Sequence, residues 1–182
     1  MRVAIYGGSF NPPHVGHAMV ASWIRWTGRA DVVWLLPAFH HAFEKELAPW
    51  DVRVRMAEAL AHTVGHGCRV EAIEAELPVP SYTVHTMEVL AALHPQHELH
   101  LVIGADVVHQ LPKWRAVDRL LARFPLIQVG RQGWPPVMDA PSFPDVSSTE
   151  IRTRIANGEG YRHLVPERVV KIVEAARLYA PR

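Results

Sequence analysis

Apolar positions along this chain fall alternately into short unbroken runs and into stripes spaced three and four apart. Residues 3–6 are such a run, ending at the pair Gly7-Gly8 as a buried strand does before a turn. Asn11-Pro12-Pro13 delays the helix, because proline disfavours helical backbone in the residue before it. From His14 or Val15 onward, Ala18, Met19, Ala21, Trp23, Ile24 and Trp26 follow helical spacing until Gly28, a fitting C-cap. Residues 31–36 form the next apolar run, closed by Pro37. Strand, glycine turn, helix, strand is the opening of a parallel sheet.

The remainder continues in the same manner. Residues 38–50 have no period and read as a substrate loop. Pro49 and Asp51 open a helix with Val52, Met56, Ala59 and Leu60 on one side. Residues 70–74 alternate apolar and charged, as a half-exposed strand does. Ser81 or Thr83 is placed to cap a helix striped with Val84, Met87 and Leu90, and His94-Pro95 ends it. A strand at 99–103 leads through Gly104-Ala105-Asp106 into helical material reaching Leu121, and 125–129 is the last strand predicted. Four prolines, Pro135, Pro136, Pro141 and Pro144, make 133–145 a loop. Ser147 and Glu150 have capping-box spacing, with Ile151 and Ile155 on one face of a short helix. A final helix over 166–179 turns Val169, Ile172, Val173 and Ala176 inward. With no linker or repeat, residues 1–182 read as a single α/β domain, its mostly parallel sheet flanked by helices.

Composition narrows the class. The 182 residues are 49% hydrophobic, enough for a substantial core. Nineteen Lys plus Arg against 18 Asp plus Glu leave a net charge of +1, which argues against a nucleic-acid partner. A single cysteine, Cys68, excludes an intrachain disulfide framework and a cysteine metal cluster. No run approaches the roughly 18 apolar residues of a membrane span, and no charged leader precedes a long apolar stretch. The expectation is a cytoplasmic protein without a membrane partner. Oligomeric state stays open, a homodimer included.

The sharpest chemistry lies in Gly7-Gly8-Ser9-Phe10-Asn11-Pro12-Pro13-His14-Val15-Gly16-His17. The glycines let backbone approach a ligand, and the helix that follows offers unpaired amides to an anion. His14 and His17, three apart, share one side of the first turn and can favour charge developing on a departing phosphate. Two histidines at this spacing bring no third zinc ligand, and the Gly-Lys-Ser/Thr end of an ATPase phosphate loop is absent. A second anion site is predicted at Ser148 and Thr149, where a helix starts, with Arg152 one turn on. Asp106 should lie at the carboxyl end of its strand, the ligand side of an open sheet, to hold a ribose hydroxyl or orient hydrated magnesium.

The first of these segments resembles the GGxFxPxHxGH signature of the nucleotidyltransferase superfamily. Over nearly the whole chain the sequence is similar to the bacterial nicotinate mononucleotide adenylyltransferases. That similarity is carried further by Ser81-Tyr82-Thr83 with Thr86, by Gly104-Ala105-Asp106 with Leu111-Pro112-Lys113-Trp114, and by Ser147-Ser148-Thr149-Glu150-Ile151-Arg152. The resemblance implies a Rossmann-like nucleotidyltransferase fold and adenylyl transfer from ATP, entering with Mg2+, to nicotinate mononucleotide. His14, His17 and Arg152 would be catalytic. Gly7, Gly8, Ser9, Phe10, Gly104, Asp106, Ser148 and Thr149 would join them around ATP, and Tyr82, Thr83 and Trp114 would face the acceptor. In the family a diproline-histidine followed by lysine or arginine stands after the second strand. Here the loop reads Phe39-His40-His41-Ala42-Phe43-Glu44-Lys45-Glu46, and His41 or Lys45 would have to supply the cation on the acceptor side. The alternatives are a sibling transferase with another phosphate-bearing acceptor and a non-catalytic nucleotide sensor. A dinucleotide oxidoreductase is disfavoured by the missing Gly-x-Gly-x-x-Gly.

Overall fold

The computed structural model describes residues 1–40 and 47–181. Its strands are β1 (Arg2–Gly8), β2 (Val32–Pro37), β3 (Cys68–Val70), β4 (Glu98–Gly104), β5 (Leu126–Arg131) and β6 (Ser142–Phe143). Among the described residues they form one sheet in the order β3-β2-β1-β4-β5-β6, with every neighbouring pair parallel. The helices are α1 (Val15–Trp26), α2 (Trp50–Val64), α3 (Thr83–Leu93), α4 (Ala105–Val108), α5 (Val117–Arg123), α6 (Ser148–Ala156) and α7 (Glu167–Ala175). This is the expected Rossmann-like α/β fold.

A parallel sheet must be covered on both faces, and the side-chain alternation of each strand feeds two cores. Ala4, Val33, Leu35, Val102 and Ile127 meet Val20, Ala21 and Ile24 of α1 and Leu60 and Ala61 of α2. Val3, Ile5, Trp34, Leu101 and Ile103 meet Val84, Met87 and Leu90 of α3 and Leu120 of α5. A third cluster joins Met56 of α2 to Ile151 of α6 and Val169, Val170 and Val173 of α7. That cluster seats α6 beside the end of β1. The chain turns from β1 toward β2 on one side and from β4 toward β5 on the other. A crevice opens at that reversal, outside the strands' carboxyl ends.

Several local expectations are corrected. The strand predicted at 70–74 lies at Cys68–Val70, and Ile73–Glu76 is a 3-10 turn with Glu74 buried. The alternation there did not mark two faces, because Glu74 turns inward to hydrogen-bond partners. The proline-rich loop contains β6, whose two residues lie between Pro141 and Pro144 and pair with Gly130 and Arg131 at the sheet edge. The helical stretch beyond Asp106 is broken by the 3-10 turn Leu111–Lys113 and by left-handed Ala116 (φ 49°). Tyr82, not Ser81 or Thr83, holds the N-cap of α3, because the Ser81 hydroxyl goes to Glu74. The last helix stops at Ala175, before left-handed Arg177, so Val170 is buried and Ala176 is exposed.

Candidate active site

The turn from β1 into α1 is shaped by Phe10. Its backbone is left-handed (φ 46°), yet its side chain is wholly buried, with the ring 3.4 Å from where a Cβ on Gly8 would stand. Burying a phenylalanine contributes about 1.5–3 kcal/mol. That offsets the roughly 1–2 kcal/mol of left-handed backbone. The Phe10 ring also backs the His17 ring, 5.0 Å between centroids. Phe10 therefore shapes the turn from behind rather than lining the cavity.

His14 is the N-cap of α1 and His17 its third residue. The His14 N–H donates to His17 Nδ1 at 3.1 Å, and the two rings lie 3.8 Å apart. Accepting that bond leaves Nδ1 without a proton, so neutral His17 carries it on Nε2. His14 Nδ1 is buried with no hydrogen-bond partner among the described residues. Such an unmet nitrogen costs about 1–3 kcal/mol and is characteristic of functional sites. Burial, and after it the Arg131 charge, lowers His14 to about 4. Burial, then His14 and Arg131, holds His17 well below the ordinary histidine range. Both rings are neutral at pH 7, so each offers one N–H rather than a fixed positive charge.

A second helix end meets the first. The Ser147 hydroxyl caps α6 by accepting the Glu150 N–H at 3.1 Å. The Ser148 hydroxyl donates to the Pro12 carbonyl (2.9 Å), and Arg152 donates to the Asn11 carbonyl (2.8 Å) and the Thr149 hydroxyl (3.2 Å). These bonds tie α6 to the histidine turn. The His17 amide is taken by the His14 carbonyl (3.0 Å) and that of Glu150 by Ser147, while the amides ahead of them in α1 and α6 have no preceding helical carbonyl to meet, and both helix ends carry positive potential.

The cavity between them has a volume of about 330 Å³. Gly8, Ser9, His14, His17, Gly104, Asp106, Ser148, Thr149 and Arg152, all predicted around ATP, line it. Gly7, on β1, and Phe10, fully buried behind the turn, lie outside the lining. Arg131, which the sequence reading did not single out, also lines the cavity. It pairs with Asp106 and, at 2.7 Å, with Asp145. Its position at the end of β5 is the same signal that marked Asp106 at the end of β4. Among the described lining residues Asp106 is the one carboxylate, and Arg131 already engages it. That donor set suits a magnesium ion carried in on substrate phosphates rather than one caged by protein.

The acceptor-side predictions separate. Tyr82 lines a second hollow, about 360 Å³, with Ser81, His85 and Arg115, whose guanidinium lies 4.7 Å from the Tyr82 ring centre. Thr83 begins α3. Trp114 is half-buried against the core that α3 and α5 share, outside the cavity lining. His41 and Lys45 lie outside the described residues. Sequence reasoning also missed two buried charges near the site, Arg53 and Glu74. Nothing in their spacing distinguishes them from surface charges.

A doubly wound parallel sheet with a histidine pair and two helix ends at its switch point defines a nucleotidyltransferase-type α/β protein. The cytidylyltransferase-like family matches residues 5–154. A protein of Anaeromyxobacter dehalogenans (strain 2CP-C) is 50% identical over 98% of this chain and 96% of its own length. One of Myxococcus xanthus is 37% identical over 98% and 95%. Both bear the name "Probable nicotinate-nucleotide adenylyltransferase". The fold matches a Plasmodium falciparum nicotinic acid mononucleotide adenylyltransferase complexed with NaAD, with a TM-score of 0.83 and 17% identity over 98% of this chain and 97% of that one. The chain belongs to the cytidylyltransferase-like nucleotidyltransferases and is a homologue of the nicotinate-nucleotide adenylyltransferases within them. That homology supports adenylyl transfer to a phosphate-bearing nucleotide.

Proposed function

We propose that this protein transfers the adenylyl group of ATP to nicotinate mononucleotide, forming nicotinate adenine dinucleotide and pyrophosphate in NAD biosynthesis. The observation that carries this reading is the shared cavity in which His14, His17, Arg152 and the ends of α1 and α6 converge. The naming of relatives up to 50% identical over nearly the full chain supports the choice of acceptor.

In this reading a 5′-phosphate oxygen of the acceptor attacks the α-phosphorus of ATP in line. The bond from that phosphorus to the bridging oxygen breaks, and its electron pair leaves with pyrophosphate. The nucleophile is already an anion at neutral pH, so no protein base is required. His14 and His17 N–H groups, the Arg152 guanidinium and the helix-end amides stabilise charge on the leaving phosphates. Gly8 and Ser9 contribute backbone, with Gly7 and Phe10 shaping the turn behind them, and Gly104 and Asp106 take the nucleoside side. Asp106 is the lining carboxylate that would face a magnesium ion entering with the triphosphate, and such an ion would supply neutralisation of phosphate charge. Tyr82, Thr83 and Trp114 serve the acceptor.

The test is pyrophosphate release with ATP or CTP against nicotinate mononucleotide, nicotinamide mononucleotide and phosphopantetheine, with products weighed by mass spectrometry. Release with ATP and nicotinate mononucleotide is expected. Binding of ATP without release from any pair would make the protein a sensor and end this reading.

A further inference from the structure

Arg53 lies in the first turn of α2 and is only 2% exposed. Its fork spans four carbonyls. Nε donates to Ala48 at 3.0 Å, one terminal nitrogen to Ser9 at 3.1 Å and Ala38 at 2.7 Å, and the other to Phe39 at 3.2 Å. Ser9 belongs to the histidine turn, while Ala38 and Phe39 continue from the end of β2.

Glu74 completes the arrangement from the other side. It is 8% exposed, and its Oε2 accepts the Phe39 N–H and the Ser81 hydroxyl, both at 3.1 Å. Oε1 accepts the Thr86 hydroxyl at 3.2 Å. The peptide joining Ala38 to Phe39 is therefore gripped at both ends, its carbonyl by Arg53 and its N–H by Glu74. A continuous path runs from Ser9 beside the phosphate cradle, through that peptide, to Ser81 and Thr86 at the start of α3.

Stability alone is a weak reason to bury these charges, because apolar packing of the same volume is often as good or better. A planar fork with fixed donor directions is instead suited to holding several backbone segments in one geometry. We propose that Arg53 and Glu74 form a positioning pair that sets the distance between the nucleotide-side turn and the acceptor-side segment, aligning the two substrates for transfer. The proposal rests on the adenylyl-transfer reading above. Neither residue lines the main cavity, so neither is a catalytic residue.

The experiment compares Arg53→Met, Arg53→Lys, Glu74→Gln and the double variant Arg53→Met/Glu74→Gln with the unaltered protein. Circular dichroism establishes folding, calorimetry gives the Kd for magnesium-ATP alone, and pyrophosphate release gives kcat and both KM values. Misplacement by about 1 Å can cost about 10²-fold in rate. Arg53→Met and Glu74→Gln should each lower kcat at least about tenfold, with the ATP Kd within about threefold of the unaltered protein. Arg53→Lys keeps the charge without the fork and should fall between. The double variant should be about as slow as the slower single one, because both act on one peptide.

A folded Arg53→Met protein with unchanged kcat would overturn the pairing. So would parallel losses in ATP binding and kcat, or losses that multiply in the double variant. Should Arg53→Met fail to fold, Arg53→Lys and Glu74→Gln carry the same comparison. Failure of all three to fold would reduce the pair to scaffold and end the proposal. If the unaltered protein releases pyrophosphate only with another acceptor, the acceptor assignment falls and the pair is tested with that acceptor. If it releases none, both readings fall.

Discussion

The His14 N–H donates to Nδ1 of His17, and this one bond decides which nitrogen of His17 can meet a ligand. It fixes Nε2–H as the donor and holds the ring against Phe10. Removing a comparable pre-positioned donor typically costs about 10²–10³ in kcat. His17→Ala is expected to lose turnover in that range while losing about 1 kcal/mol of stability, the size of a helix-cap effect. Pyrophosphate release and thermal unfolding measure the two separately. Unchanged turnover in the folded variant would remove His17 from the chemistry.

Stability should depend on pH because of the same pair. Buried His14 has a pKa lowered to about 4, against 6.5 when unfolded, and His17 is displaced in the same direction. Between those values the unfolded chain binds more protons, so stability falls as pH drops from 6.5 toward 4 and is fully present above 6.5. At 1.36 kcal/mol per unit, His14 alone accounts for about 3 kcal/mol of that loss. Denaturant unfolding of the free protein at pH 7.5, 6 and 5 should trace the slope, and His14→Gln should flatten it. Because the Arg131 charge contributes to both depressions, Arg131→Gln should raise the His14 titration followed by NMR. A downward shift would contradict the placement of Arg131 beside the pair.

The parts of this site that could be read before folding are those written locally at the ends of elements. His14 and His17 follow a glycine turn, Ser148 and Thr149 open a helix, and Asp106 ends a strand. Each position announces its surroundings within a few residues. Arg131 was hidden because the proline-rich stretch after it reads as loop, and its partners Asp106 and Asp145 stand 25 and 14 residues away. Arg53 resembles a surface charge on an amphipathic helix until four carbonyls close around it. Glu74 was misread for the same reason, since an alternating pattern cannot distinguish a charge facing water from one facing Ser81 and Thr86. Tyr179, whose hydroxyl donates to Asn11 Oδ1 at 2.6 Å, meets the histidine turn across 168 residues. Periodicity sets elements, whereas buried polar contacts between distant elements depend on how those elements pack.

Trp114 offers a test of the acceptor side. Its ring is half-buried against the core containing Leu111 and Leu120, so Trp114→Ala combines lost packing with any lost stacking. Trp114→Leu retains apolar volume and removes the flat aromatic face. Stacking is worth about 0.5–1.5 kcal/mol. The leucine variant should therefore raise the KM for nicotinate mononucleotide several-fold while leaving the KM for ATP nearly unchanged. Equal weakening of both substrates would mean that Trp114 acts through packing alone.

Gly104 separates the nucleotide side from the fold. Its φ of −74° is ordinary for any residue, so alanine meets no backbone strain. An added Cβ, however, would stand 2.3 Å from Asp106 Oδ1. The obstructed atom is the end of a side chain, which can rotate away at small cost, but the rotation breaks the Asp106–Arg131 pair on the cavity wall. With both partners about a quarter exposed, the pair is worth no more than about 1 kcal/mol of stability. Gly104→Ala should thus stay folded within about that margin while the KM for ATP rises roughly tenfold and kcat at saturating ATP changes little. Asp106→Asn should raise it as well, because both variants take the carboxylate away from its place beside Arg131 on the cavity wall. An unchanged ATP KM in a folded Gly104→Ala protein would place the nucleoside elsewhere and leave the Asp106–Arg131 pair as scaffold.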